Sequence, residues 1–127
     1  MVDIRITNVE ALGKPLGQYS HLARVRANEF LFIAGMLAPG NDIGAQCAGV
    51  FGQIEKALQS AGAGWKNVVQ FTTYLVHSQD IPGFMQFRLR EFPKMFPEGV
   101  YPPNTLLVID RLVQEQYLVE VQTVAAL

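Results

Sequence analysis

Val68-Val-Gln-Phe-Thr-Thr-Tyr-Leu-Val76 decides the fold. Valine, phenylalanine, threonine and tyrosine suit a pleated, half-buried surface, so the stretch is predicted to be a strand. Alternate side chains of a strand face opposite ways. Val69, Phe71, Thr73 and Leu75 therefore share one face, and Val68, Gln70, Thr72, Tyr74 and Val76 share the other. Both faces are substantially apolar, so the sheet built around this strand needs cover on both sides.

Working outward, Ile43 to Ala61 reads as a helix. Ile43, Cys47, Val50, Phe51, Ile54 and Leu58 recur at steps of three and four and make one apolar face. Gln46, Gln53, Glu55, Lys56 and Gln59 are assigned to the rest of its surface. Pro39-Gly40-Asn41 is a turn, Asp42 is positioned to cap the helix, and Gly62 and Gly64 end it. A second amphipathic helix is predicted from Ile81 to Phe92 through Ile81, Phe84, Met85, Leu89 and Phe92, with Pro93 and Pro97 at its exit. Val2–Ile6 is a first short strand. Leu22–Val25 and Phe30–Ala34 flank Ala27-Asn28-Glu29 and read as a hairpin. Thr105–Ile109 and Tyr117–Val124 are the last strands, joined by the polar Asp110–Gln116 region. This order implies one α+β domain over residues 1–127, with two helices on one face of a mixed sheet. Two helices cover one face only, and packing against copies of the same chain is the economical cover for the other.

Composition narrows the function classes. The chain has 127 residues, 50% of them hydrophobic and 17% charged, which is enough for a core and far from the composition of disorder. A formal net charge of −1 with no basic stripe argues against nucleic acid as a partner. No apolar run reaches the roughly 18 residues of a membrane span, so no membrane partner is expected. Cys47 is the only cysteine and the opening Met-Val-Asp-Ile-Arg-Ile carries no signal-peptide core, which together point to the cytoplasm.

No phosphate loop, CxxC pair or HExxH is present. His21 and His77 stand alone, without the ligand count of a metal site. Cys47 lies on the apolar face of a helix and reads as a small buried hydrophobe rather than a nucleophile. Glu120 shares a strand face with Leu118, Gln122 and Val124. A carboxylate in such a strand is costly unless solvated, paired or used. It is an edge carboxylate on one reading, and a general acid/base or an orienter of a catalytic water on the other. Asn104 follows Pro102-Pro103, whose fixed φ angles stiffen the approach. That stiffness suits a positioned site, and Pro-Pro-Asn is also ordinary turn chemistry. Tyr19, Ser20 and His21 lie between a Gly17 turn and a strand, as site residues or as plain loop.

Taken together, these segments resemble the RidA family, also called YjgF or L-PSP, over nearly the whole chain. Gln18-Tyr-Ser-His21 resembles the family's Pro-Tyr-Ser-His/Gln, and Phe32-Ile-Ala-Gly-Met36 its Phe-Ile-Ser-Gly-Gln. Gln53 to Gly62, ending Ala-Leu-Gln-Ser-Ala-Gly, resembles its Asn-Ile…Leu…Ala-Ala-Gly helix. Val68–Val76 is similar to Val-Val-Lys-Thr-Thr-Val, Tyr101-Pro-Pro-Asn-Thr105 to Tyr-Pro-Ala-Arg-Ser, and Val119-Glu-Val121 to Ile-Glu-Ile. The resemblance implies a chorismate-mutase-like α+β fold and a homotrimer whose sheets pack into a central barrel. It also implies small-molecule clefts between neighbouring subunits and no cofactor. Family deaminases hydrolyse enamines and imines such as 2-aminoacrylate and 2-iminobutanoate to 2-keto acids and ammonia.

In that chemistry the family arginine clamps the substrate carboxylate through two parallel charge-assisted hydrogen bonds. Asn104 stands at the matching position, with Thr105 beside it. Ala34 replaces the family serine, Met36 its glutamine and Leu106 its common cysteine, and Gln86 falls near its helical asparagine. What carries over is Tyr19 as an aromatic wall, Gly35 as closely approached backbone, and Glu120 as the water-orienting carboxylate. Arg111, seven residues after Asn104, is not assigned to the cleft. Three functions follow: a hydrolase or deaminase with an altered substrate, a non-catalytic ligand-binding or regulatory trimer, and translation inhibition or endoribonuclease activity, which the charge disfavours.

Overall fold

Residues 1–127 are all described by the structure, a computed structural model. The elements are β1 (Asp3–Thr7), β2 (Leu22–Arg26), β3 (Phe30–Met36), α1 (Ile43–Ser60), β4 (Val68–Leu75), α2 (Ile81–Met95), β5 (Asn104–Val108) and β6 (Val119–Ala126). Four strands form a mixed sheet in the order β3-β6-β4-β5, and β1 and β2 form a separate antiparallel ribbon. β4 and β5 are parallel, as the α2 crossover between them requires. β6 runs antiparallel to both β3 and β4.

The predicted hairpin is corrected here. β2 pairs with β1, and β3 pairs with β6. The intervening backbone is held by the end of the chain: Asn28 and Glu29 N–H both donate to the Leu127 carbonyl, and Leu127 N–H donates to Glu29 O. Non-local partners thus outcompete the local turn.

α1 begins where the Asp42 carboxylate accepts from Ala45 N–H at 2.8 Å. It ends in a Schellman arrangement, with Gly62 at φ 74° donating to Gln59 O and Ala63 donating to Leu58 O. Cys47, Val50, Phe51, Ile54 and Leu58 pack on Ile33, Phe71, Val119 and Val121 of the sheet. Phe51, Trp65, Phe71, Phe92, Phe96 and Tyr101 continue this core as an aromatic cluster. Both helices therefore cover one sheet face. The other face, with Phe32, Val124, Gln122, Glu120, Gln70, Thr72, Tyr74, Thr105 and Leu107, is left open, and Phe32 is 80% exposed.

Two helical assignments change. Gln46 is buried, not on the outer surface of α1. Its Nε2 donates to Gly40 O (3.1 Å) and Gln116 O (3.0 Å), and its Oε1 accepts from Leu118 N–H (2.8 Å). On α2 the buried stripe is Phe84, Phe87, Arg88 and Phe92, whereas Leu89 is 56% exposed. α2 also runs past Pro93 to Met95, forgoing the one hydrogen bond that a residue with an N–H would have made there.

Cys47 is buried, and its thiol is pushed up to about 12 by burial, with Asp80 adding to the shift. The thiol therefore stays protonated at neutral pH. It is expected to be inert to Ellman's reagent in the native protein at pH 8 and to react fully once guanidinium unfolds the chain. Rapid native labelling would contradict that environment.

Candidate functional site

The sequence-predicted site residues fall into three groups. The first is on the open sheet face, where Glu120 is half-buried and aligned with Tyr74 across β6 and β4. The β3–β6 ladder has an irregularity between Ile33 and Met36, and Gly35 sits in it. A Cβ built on Gly35 would overlap the Glu120 carboxyl, so the missing side chain is what lets the carboxylate lie across the β3 backbone. Ala34 and Thr105 are exposed on their strands.

Asn104 forms the second group. It is aligned with Phe71 across the parallel pair, and its Oδ1 accepts from the Thr73 hydroxyl at 2.8 Å. Thr73 and Phe71 face the helices, and Glu120 follows Tyr74 to the opposite face. Within one chain, Asn104 and Glu120 therefore lie on opposite sides of the sheet.

The third group joins the Gly17–His21 segment to α2. His21 Nδ1 accepts from Val9 N–H (2.9 Å) and His21 N–H donates to Asn8 Oδ1 (3.0 Å), which ties this segment to the one preceding it. The Tyr19 hydroxyl accepts from Leu16 N–H at 3.1 Å. The Tyr19 ring centroid stands 5.8 Å from the Arg88 guanidinium carbon. Gln86 is exposed, and its neighbour Met85 is the residue that meets Arg88, with Sδ 3.0 Å from Nη2.

Sequence reasoning passed over Arg88. The signal was its spacing: an arginine four residues from both Phe84 and Phe92 sits in the middle of an apolar helical stripe. Burial pushes its guanidinium down to about 10, partly opposed by Tyr19, so it remains charged at neutral pH.

Asn104 and Glu120, on opposite sides of the sheet, do not share a cleft within one chain. The cavity of about 320 Å³ beside β1, lined by Ile4, Ile6, Trp65, Met95, Phe96 and Pro97 among others, contains none of them.

The comparisons with known proteins agree on a family. The model of the family described as Endoribonuclease L-PSP matches residues 9–127. A RutC family protein of Synechocystis is 31% identical over 123 residues, covering 89% of this chain and 88% of its own. The crystal structure of YyfB from Yersinia pestis, a conserved Rid-family protein of unknown function, superposes with a TM-score of 0.84 at 27% identity, covering 98% of both chains. A YjgF/YER057c/UK114-family member from Mycobacterium tuberculosis has the same fold at 23% identity and a TM-score of 0.67, over 98% of this chain and all of the other. On its sequence, its two-helix mixed sheet and these matches, the chain belongs to the RidA/YjgF (L-PSP) family.

Proposed function

We propose that this protein is a hydrolase of small, reactive enamine- or imine-type metabolites, working in clefts completed by neighbouring copies of a homotrimer. The observation that carries the reading is the Glu120 carboxylate, which lies on an open sheet face in the space that the missing side chain of Gly35 leaves free. A carboxylate so placed can orient a water and take its proton as the oxygen attacks the imine carbon. The carbinolamine then collapses, the C–N bond breaks with protonation of nitrogen, and a keto product and ammonia leave.

The open sheet face, which leaves Phe32 and Leu107 exposed, and the placement of Glu120 and Asn104 on opposite sides of the sheet support completion by another copy. In this reading Tyr19 walls the cleft, and Ala34, Gly35, Gln86, Asn104 and Thr105 contribute to its substrate surface. No cofactor is required. A lone, buried cysteine supports a cytoplasmic location, and no helix is long and apolar enough to cross a membrane.

The test is release of ammonia and keto acid from enzymatically generated 2-aminoacrylate, with Asn104→Arg run in parallel. Release well above the uncatalysed rate is expected from the natural protein. Silence from both proteins would favour the second reading, a non-catalytic ligand-binding trimer. The observation that favours it is that Asn104 is uncharged and already engaged by Thr73. RNA cleavage, which the family description names, finds no support in a chain of net charge −1.

A further inference from the structure

We propose that Arg88 is an anion-binding residue of this chain and that its ligand is a small carboxylate. Arg88 is 2% exposed. Its guanidinium carbon lies 4.7 Å from the Phe84 ring centroid, 5.8 Å from that of Tyr19 and 6.0 Å from that of Phe92. Aromatic faces attract the cation, but they fill none of its five N–H donors. Those donors are poorly served. Nη1 reaches the Gln18 carbonyl at 3.4 Å, Nη2 reaches a thioether sulfur, and Nε is buried with no partner.

The chain supplies no counter-ion. Its ion pairs are Arg5–Asp3, Arg90–Glu91, Lys94–Glu91 and Arg111–Glu115, and none includes Arg88. A buried cation without a counter-ion is costly, and the aromatic contacts and one long hydrogen bond offset only part of that cost. It becomes useful when an anion from outside completes it. One planar fork with open donors matches one planar monoanion, so a carboxylate fits better than a phosphate, whose two charges and three oxygens would want further donors.

The cover over the guanidinium is thin. A Cβ on Gly17 would lie 2.9 Å from Arg88 Nη2 and 2.7 Å from Met85 Cε, so a side chain here would have to push the ends of both side chains aside. Displacing Gly17–Tyr19 gives up the long hydrogen bond to the Gln18 carbonyl and the Tyr19 ring contact, and opens that side of the cation. Arg88 is also on the same side of the sheet as Asn104. The Phe92 ring, one helical turn on from Arg88, lies tilted against Phe71 with centroids 5.8 Å apart, and Phe71 is aligned with Asn104. The charge that position 104 lacks is thus supplied from α2, and a carboxylate reader is retained by a different element. For the identity of the substrate, a small 2-imino or enamine acid, this rests on the hydrolase reading. For anion binding it does not.

The experiment is calorimetric titration of the full-length protein with 2-oxobutanoate and with its neutral amide, repeated on Arg88→Met and Arg88→Lys, with thermal melts and oligomeric state measured alongside. The carboxylate is expected to bind natural protein at least about 10-fold tighter than the amide. It should bind Arg88→Met about 100-fold more weakly, the range for a lost charge-assisted hydrogen-bond pair. Arg88→Lys, which keeps the charge without the fork, should fall between. Arg88→Met should melt no lower than the natural protein.

Equal affinity for carboxylate and amide, no binding of either, or undiminished carboxylate binding by Arg88→Met would overturn the proposal. So would a destabilised Arg88→Met that loses its assembly, because the anion would then be an acidic side chain of another copy. If Arg88→Met fails to fold, the carboxylate-to-amide ratio and Arg88→Lys still decide. The two readings separate cleanly: Arg88-dependent carboxylate binding without ammonia release sinks the hydrolase and keeps Arg88, and turnover with KM unchanged in Arg88→Lys does the reverse.

Discussion

Glu120→Gln is expected to lower turnover of 2-aminoacrylate by about 10³-fold, the middle of the range for a positioned general acid or base. The exchange conserves size and hydrogen-bonding ability while removing the group that accepts the proton of water. Glu120 is only half-buried and makes no ion pair with Lys, Arg or His. The melting temperature should therefore change little, and the loss should appear in kcat rather than in KM. Gly35→Ala is a companion test from the opposite side. It leaves the carboxylate intact and puts a methyl group where that carboxylate lies, so turnover should fall although no reacting group has been removed. Undiminished rates in Glu120→Gln would remove the acid/base role. Undiminished rates in Gly35→Ala alone would show that the carboxylate works from another position.

Gln46→Leu is expected to destabilise the fold by about 3 kcal/mol, roughly 1 kcal/mol for each of three part-buried hydrogen bonds to backbone that are lost. A chain of this size should then melt about 10 °C lower. The side chain pins Gly40 O at the entry to α1, and Gln116 O and Leu118 N–H at the entry to β6. Leucine fills similar volume and satisfies none of the three. Gln59→Leu, at an exposed position on the same helix, should shift stability by less than about 0.5 kcal/mol. A thermal melt by circular dichroism reads both. Equal melting of Gln46→Leu and natural protein would mean that water replaces the amide at these sites.

The sequence made the fold legible where spacing spoke without competition. The strand at Val68–Val76, the helix from Ile43 and its Asp42 cap all followed from local pattern. Gln46 shows where pattern reading failed. Positions 46, 50, 54 and 58 form one helical stripe, so spacing placed Gln46 in the core while its polarity suggested the surface. Position was the better guide, because an amide with three backbone partners is as satisfied inside as in water. Arg88 repeats the lesson on α2, where the cation at the centre of the Phe84–Phe92 stripe was overlooked and Leu89 was placed in the core. The false hairpin at Asn28 has a different cause. Its true partners, β1 on one side and β6 with Leu127 on the other, are remote in sequence, and nothing local distinguishes them. Of the candidate site, Gly35 and Glu120 are brought together across β3 and β6. The distance of Asn104 from Glu120 depends on which sheet face each takes, and a residue's type does not reveal that.

The position of β6 has a consequence for biosynthesis. Although it follows the other seven helices and strands in chain order, it occupies an inner place in the sheet, between β3 and β4. Until residues 119–126 leave the ribosome, β3 lacks its neighbour and β4 has only β5, so unpaired edges and the apolar residues beneath them face solvent. The Phe30–Ala126 pairing spans about three-quarters of the chain, and closing so wide a loop late makes nascent-chain arrest before residue 119 the point of greatest aggregation hazard.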